Sequence, residues 1–404
     1  MSFINSSWQK SLEAANRDLR DQGLVRHLKL RSTPNAPTVT INDEQLLSFS
    51  SNDYLGLSNH HRLKEAMSEG ADLYGVGSGA SALISGHTTA HQLLENKLAQ
   101  TQSVHIPYVG VCLMNTGFMA NIAMMTALGS LGTISIYSDE LNHASIIDGV
   151  RMAKAQSQAS VFIYPHNDIK TLQSKMEQDH NPLKIIVTDC VFSMDGDFAP
   201  LHELTQIAES HQALLYLDDA HGFGIFGKNG YGSLEHLNLA SPNIIYMGTL
   251  GKAVGVSGAF IAANQTWIDW LIQKSRPVIY STSPSPAVAH TILKSIELIE
   301  SKEGQLRRKN LFDLIEYWRQ NAHFNQWKCL PSFSAIQPII IGSNKVALMV
   351  AEQLRNSNIW VPAIRPPTVP KNTARLRVTL NADHSQEQVQ SLIEHLIQIE
   401  KDLG

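Results

Sequence analysis

Residues 213–222 read Ala213-Leu-Leu-Tyr-Leu-Asp-Asp-Ala-His-Gly222, an apolar run that stops on two carboxylates and then a histidine–glycine pair. An apolar run of this length closed by a turn reads as a strand buried on both faces, the usual state in a parallel sheet. Open α/β sheets bind ligands beyond the carboxyl ends of their strands, so Asp218 and His221 stand where chemistry is expected. Three more runs end in the same way. Ile134–Tyr137 is followed by His143, Lys184–Thr188 by Ser193, and Ile244–Met247 by Thr249 and Lys252. One such residue means little; four sets from separate strands predict a convergent site.

Outward from these runs, helical spacing alternates with strand spacing. His91–Ala99 precedes the apolar segment Ile106–Leu113, and Asn121–Leu128 precedes Ile134. The alternation predicts an α/β fold: a large domain with a mostly parallel sheet covered by helices. Upstream, residues 6–30 carry Trp8, Leu12, Ala15 and Leu19 near helical spacing, and Thr38–Ser50 reads as two short strands about an Asn42-Asp43 turn. Past Pro286 the texture changes. Helices are expected over Ala287–Ser301, Gln305–Asn321, Lys345–Asn356 and Ser385–Leu403, with strands at Ile336–Ile341 and Arg375–Leu380. The expected division is residues 1–48 as an N-terminal helix with short strands, 49–285 as the large domain, and 286–404 as a smaller C-terminal α+β domain.

The chain has 404 residues, 17% of them charged, and a formal net charge of −4. That balance argues against a nucleic-acid partner, which would need a basic stripe. Arg26, Lys29 and Arg31, and Arg307–Lys309, are local basic clusters, read as ordinary solvated surface ahead of a patch for a phosphorylated substrate. Cys112, Cys190 and Cys329 are far apart and form no C-x-x-C pair, which fits a reducing compartment and no disulfide framework. No charged-then-apolar leader opens the chain, and no apolar stretch reaches the roughly 18 residues of a membrane span. A cytoplasmic protein with no membrane partner is expected.

Taken singly, the strand-end residues are ambiguous. Lys252 lies in Thr249-Leu-Gly-Lys-Ala-Val-Gly-Val-Ser-Gly258 with no other charge beside it. Apolar surroundings disfavour the ammonium and favour the neutral amine of Schiff-base chemistry, yet a solvated or phosphate-binding lysine reads equally well. A Walker loop is excluded by the absence of G-x-x-x-x-G-K-[ST]. Asp218 reads as a buried carboxylate in need of a cationic partner, or as a helix N-cap, for which Asp219 is the better candidate. Gly75-Val-Gly-Ser-Gly-Ala80 satisfies a dinucleotide fingerprint but follows no strand. His87 and His91 have the i, i+4 spacing of zinc proteases without the glutamate, so no metal is expected.

The ordered set is more specific than its members. Asp218-x-Ala-His221 upstream of a Gly-flanked lysine resembles the large domain of fold-type-I enzymes dependent on pyridoxal 5'-phosphate (PLP). Asn52-Asp-Tyr-Leu-Gly56, Thr116-Gly-Phe-Met-Ala-Asn121, Asn142-His-Ala-Ser145, Val191-Phe-Ser-Met-Asp-Gly-Asp197 and Ile364-Arg-Pro-Pro-Thr-Val-Pro370 narrow the resemblance to the α-oxoamine synthases. The last stretch favours the branch that serves biotin biosynthesis. The likeness runs from the N-terminal helix to about Leu380.

The resemblance implies the site. Lys252 would carry PLP and act as the base at Cα, Asp218 would keep the pyridine nitrogen protonated, and His143 would stack on the ring. His221 and Ser193 would bond the 3' oxygen region. The phosphate would lie at the helix start by Gly117 and Phe118, with Thr249 and, from a second subunit, Thr282, which implies a homodimer with shared active sites. Arg377 would anchor the substrate carboxylate, with Arg365 and Asn52 nearby and Arg26 on the acyl donor. The implied substrates are L-alanine and pimeloyl-CoA or pimeloyl-acyl carrier protein. Ala80, Ala82, Asn142 and Phe223 depart from the family pattern and leave the acyl pocket open. A sister synthase, such as glycine C-acetyltransferase or 5-aminolevulinate synthase, would share all the PLP residues. A PLP-binding regulator would need a helix-turn-helix domain, for which the roughly 45 residues before Leu46 leave no room.

Overall fold

The central apolar runs form one seven-stranded sheet in the computed structural model, which describes residues 6–403. Its order is β3 (Val109–Met114), β9 (Ala259–Asn264), β8 (Ile244–Thr249), β7 (Leu214–Asp218), β6 (Lys184–Asp189), β4 (Ser135–Asp139) and β5 (Ser160–Tyr164). β4 to β8 run parallel, and β9 is antiparallel to both its neighbours. β4 and β8 are buried at every position, and β6 and β7 at all but the first, as strands covered on both faces must be. The chain leaves β4 for β5 on one side and returns to β6 on the other. The carboxyl end of the β4–β6 pair is therefore a topological switch point.

The covering helices are α2 (His61–Tyr74), α3 (Thr89–Gln102), α4 (Gly117–Gly129), α5 (Ala144–Gln156), α6 (Ile169–Glu177), α7 (Leu201–Ser210), the short α8 (Ser233–Leu237) and α10 (Arg276–Ile279), α9 (Gln265–Lys274) and α11 (Pro286–Glu300). α4 is apolar nearly all round, so it is buried, packed between the sheet and α5 and α9. The approach of α5 is close: a Cβ on Gly149 would come 3.0 Å from the Asn121 carbonyl oxygen. These elements belong to a unit of Asn52–Phe312 with Asn381–Asp383.

The second unit comprises Met1–Ser51, Asp313–Leu380 and His384–Gly404. It holds α1 (Ser6–Asp21) and a three-stranded sheet of β1 (Thr38–Ile41), β2 (Glu44–Ser48) and β12 (Ile359–Trp360). A four-stranded sheet follows the order β10 (Lys328–Cys329), β11 (Ile336–Gly342), β14 (Ala374–Thr379), β13 (Ala363–Ile364). With these go α13 (Asn344–Asn356), α14 (Gln386–Leu403) and the end of α12 (Lys302–Asn321), the helix within which the division falls.

α1 stops at Asp21 rather than near residue 30. Gly23 takes φ 65°, and the Leu24 amide turns back to the Leu19 carbonyl at 2.8 Å, a glycine stop that satisfies the last helical carbonyls. The turn at Asn42 and Asp43, both with positive φ, joins β1 to β2 as expected. No helix among the described residues is long and apolar enough to cross a membrane.

Candidate active site

Four strands end on side chains that can do chemistry: Asp139 on β4, Asp189 on β6, Asp218 on β7 and Thr249 on β8. Asp218 is 3% exposed, and its carboxylate accepts from Asn121 Nδ2 at 2.8 Å and from the Ala220 amide at 3.0 Å. Asn121 spends its other amide hydrogen on Ser145 Oγ (2.7 Å) and accepts from the Tyr216 hydroxyl (2.5 Å). Ser145 Oγ in turn lies 2.6 Å from His143 Nδ1. His143 caps α5, and its backbone N–H donates to Asp189 Oδ2 at 2.7 Å. Asp189 is the register partner of Asp218, so this chain of bonds leads from one strand end to the next.

The electrostatics follow from crowding. Burial, then repulsion by Asp218, push the Asp189 carboxyl well above the usual range, against the pull of the His143 amide and of Lys252. The His143 side chain reaches solvent but is partly desolvated by the strand ends. Desolvation holds its imidazole below the ordinary value, Asp218 opposes this, and Lys252 adds to it.

Lys252 follows β8 in a tight turn, closed by Leu250 N–H to Gly258 O (2.8 Å) and Gly255 N–H to Lys252 O (2.8 Å). Its Nζ lies 2.9 Å from Nε2 of His221, which is 5% exposed. The Tyr54 hydroxyl lies 2.6 Å from the other nitrogen of that ring. Thr249 Oγ1 donates to the Ala220 carbonyl at 3.0 Å, tying β8 to the turn that carries His221. Ser193 lies in the turn after β6 that a Val191–Phe198 bridge closes. Asp219 is not the N-cap residue of a helix that starts directly after it; its carboxylate takes the free amide of Ser233, the first residue of α8. Asp219 is fully buried and also accepts from Ser233 Oγ and the Tyr246 hydroxyl, with burial raising it to about 6.

The cluster suits PLP on three counts. Asp218 is a buried carboxylate that a protonated pyridine nitrogen would neutralise. The first-turn amides of Gly117 and Phe118 have no carbonyl four residues back to accept from them, and α4 directs its dipole outward there. A Cβ on Gly117 would come 2.7 Å from Thr249 Cγ2, so only glycine lets the helix start come this close to that threonine. Thr282 is exposed and its carbonyl accepts from Asn115 Nδ2 (3.0 Å) beside a cavity of about 570 Å³. Among the described residues no hydrogen bond joins it to the Lys252 cluster.

Arg375 and Arg377 lie two apart on β14 and are 3% and 5% exposed, so neither is a surface arginine. Arg377 Nη1 donates to Thr379 Oγ1 at 3.1 Å. Arg365 donates to the carbonyls of Gly23 and Val25. Desolvation and then Arg26 lower its guanidinium, and both arginines line a small cavity of about 80 Å³ with Thr368. The cluster Arg307–Lys309 is in part a structural one. Arg307 holds Asp383, Glu303 and the Leu55 carbonyl, and buried Arg308 holds the carbonyls of Ile299 and Lys228.

Sequence reasoning assigned no role to Asn121, Ser145, Asp189, Tyr54 or Thr368. The one visible signal was Asn121, a lone amide in the apolar helix Gly117–Gly129. Two departures from the family pattern have local reasons. Asn142 stitches β4 to β6, donating to the Val187 carbonyl and accepting from the Asp189 amide. Phe223 is buried edge-on against Phe260. His87 pairs with Glu95 (2.9 Å), and His91 bonds the Pro284 carbonyl (2.9 Å).

A family model described as aminotransferase class I and II matches residues 44–396. A protein from Janthinobacterium sp. (strain Marseille), named 8-amino-7-oxononanoate synthase, is 49% identical over 390 residues, covering 96% of this chain and 98% of its own. A solved serine palmitoyltransferase from S. paucimobilis, with bound PLP, matches with a TM-score of 0.87 at 25% identity, covering 98% of each chain. A solved 8-amino-7-oxononanoate synthase from Francisella tularensis matches with a TM-score of 0.73 at 28% identity, covering 89% of this chain and 98% of its own.

Proposed function

Because the chain belongs to the class I and II aminotransferases, and among them to the 8-amino-7-oxononanoate synthases, we propose that it condenses L-alanine with a pimeloyl thioester. The products are 8-amino-7-oxononanoate, carbon dioxide and the free thiol carrier, a step of biotin biosynthesis. The observation that carries this reading is that His143, Asp218, His221 and Lys252 follow three strands of one sheet in two bonded sets, Asp218 through Asn121 and Ser145 to His143, and Lys252 with His221. PLP held by Lys252 supplies an electron sink for the carbanion at the alanine Cα.

This chain's residues do the rest. Asp218 holds the proton on the pyridine nitrogen, and Asn121 holds Asp218. His143 would stack on the ring face, and His221 and Ser193 would bond the 3' oxygen side. The amides of Gly117 and Phe118 would hold the phosphate, and the Thr249 hydroxyl would turn to it from the Ala220 carbonyl. Arg377 takes the alanine carboxylate as a bidentate pair, and Asn52 is a further candidate for the substrate. Lys252 Nζ takes the Cα proton and returns one to carbon after carbon dioxide has left. Arg26, with Arg365 and Thr368 on the same small cavity, holds the acyl donor. Thr282 reaches the phosphate of a second copy, so the working unit is a homodimer with shared sites. The three cysteines are free, which suits the reducing cytoplasm.

The test is a spectral titration of the PLP-loaded protein with L-alanine, glycine and L-serine, followed by product analysis with pimeloyl-CoA and with a pimeloyl carrier protein. The strongest response is expected for L-alanine. A response to glycine alone, or to L-serine alone, overturns the biotin reaction and leaves PLP binding standing.

A further inference from the structure

The turn Asn52–Ser58 is held more firmly than a surface turn needs to be. Asp53 accepts from the amides of Leu57 (2.9 Å) and Ser58 (3.1 Å) and from Ser58 Oγ (2.5 Å). Arg307 donates to the Leu55 carbonyl at 2.9 Å, and Asn381 to that of Asp53. The residue so fixed is Tyr54, 1% exposed, whose hydroxyl lies 2.6 Å from His221 Nδ1 and 3.2 Å from Asn52 Oδ1. His221 Nε2 lies 2.9 Å from Lys252 Nζ. The bonds form one chain: Asn52, Tyr54, His221, Lys252.

Such a chain can run in two directions, because a neutral imidazole has one donor and one acceptor nitrogen and the phenol one hydrogen. With an ammonium at Lys252, Nζ donates to Nε2, the ring hydrogen sits on Nδ1 and points to the phenol oxygen, and the phenol donates to Asn52 Oδ1. With a neutral nitrogen at Lys252, Nε2 carries the hydrogen and donates, and the phenol turns to donate to Nδ1. The two states differ by one proton, released to solvent: the ring hydrogen stands on Nδ1 in the first and on Nε2 in the second, and the phenol hydrogen turns from Asn52 Oδ1 to Nδ1. We propose that Tyr54, backed by Asn52, is a positioning residue: its hydroxyl decides which nitrogen of His221 carries the hydrogen. It thereby decides whether Nε2 accepts from or donates to the group at Lys252. A lysine that must take and return a proton at substrate carbon thus has a fitted partner in each of its states.

His143 from the start of α5 and Asp189 from β6 both feel the charge of Lys252 and that of Asp218 from β7. Asp53 is committed to its own turn.

The inference rests on Lys252 as the PLP-bearing lysine, and the experiment separates the two. Borohydride reduction of the PLP-loaded protein and peptide mass analysis read the lysine; cofactor fixed elsewhere overturns both. With Lys252 established, Tyr54→Phe should move the apparent pKa of the visible cofactor band by about one unit, roughly tenfold in proton affinity. In a His221→Asn background the same change should move it by much less, because the amide cannot exchange donor and acceptor by losing a proton. No shift in the parent, or an equal shift in both backgrounds, overturns the role of Tyr54. If Tyr54→Phe does not fold, nitrogen NMR of the unaltered cofactor-free protein decides instead. The His221 hydrogen should move from Nδ1 to Nε2 as Lys252 loses its proton, and a tautomer that stays put overturns the proposal.

Discussion

Two histidines stand at the same end of the same sheet, and their neighbours separate their roles. His166, just past β5, gives Nδ1 to Asp139 (3.1 Å) and Nε2 to Asp197 (2.8 Å), with the edge of Phe192 against it at 4.3 Å. Asn167 reinforces both carboxylates, through its amide to Asp139 and its side chain to Asp197. That ring is saturated: it clamps the ends of β4 and β5 to the turn carrying Ser193. His143 meets its nearest carboxylate, Asp189, only through its backbone, and its ring bonds to the Ser145 hydroxyl. The same residue types make a clamp where carboxylates take both ring nitrogens, and a site where the ring is left for a ligand and the carboxylates for a cation.

The largest effect that could break this contrast is at Lys252. Lys252→Ala should lower turnover by at least ~10³-fold, as removal of a covalent nucleophile does. Borohydride should then fix no cofactor on the protein; cofactor still fixed elsewhere would place the open site wrongly. Asp218→Asn comes next. Removing one partner of a buried charge pair costs about 3–5 kcal/mol, or roughly a hundred- to a few-thousandfold in PLP affinity by equilibrium dialysis. Affinity within a few-fold of the parent would mean that Asp218 is not the partner of the ring nitrogen. Asn121→Ala should be milder. A lost hydrogen bond to a charged group is worth about 1.5–3 kcal/mol, so affinity should fall by roughly ten- to a hundredfold. If Asn121→Ala matches Asp218→Asn, the amide itself contacts the cofactor rather than holding the carboxylate.

The contrast also explains what could be read in advance. The strands at Ile134–Tyr137, Lys184–Thr188, Ala213–Leu217 and Ile244–Met247 announce themselves because strands buried on both faces are apolar throughout, and the residues after them inherit a position in the fold. β5 lies at the sheet edge with its first four positions exposed or half-buried, and β9 is rich in alanine, so neither gives the same signal. The bonded path from Asp218 through Asn121 and Ser145 to His143 crosses three elements far apart in the chain. No local period encodes such a path. His166 shows the limit from the other side: nothing near it in sequence marks it as a clamp, since its carboxylates lie 27 and 31 residues away.

The smallest effect on turnover, and the sharpest test of the clamp, is His166→Gln. Burial alone would lower the His166 imidazole. The hydrogen bonds to Asp139 and Asp197, and the charges behind them, outweigh burial and hold it at about 10. In the unfolded chain it would titrate near about 6.5. A histidine raised in the folded state stabilises fully below its unfolded value and loses that contribution as pH rises through its folded one. The clamp should therefore stabilise most below about pH 6.5, weaken steadily above it, and contribute nothing beyond about 10. His166→Gln should lower Tm most at the acid end of this window, and the gap to the unaltered protein should close as pH rises. Turnover of the folded fraction should stay close to that of the unaltered enzyme, because no bond links His166 to Lys252 or Asp218. A Tm gap that stays constant with pH would mean that His166 packs as a neutral ring. The two histidines would then differ in their contacts but not in their charge.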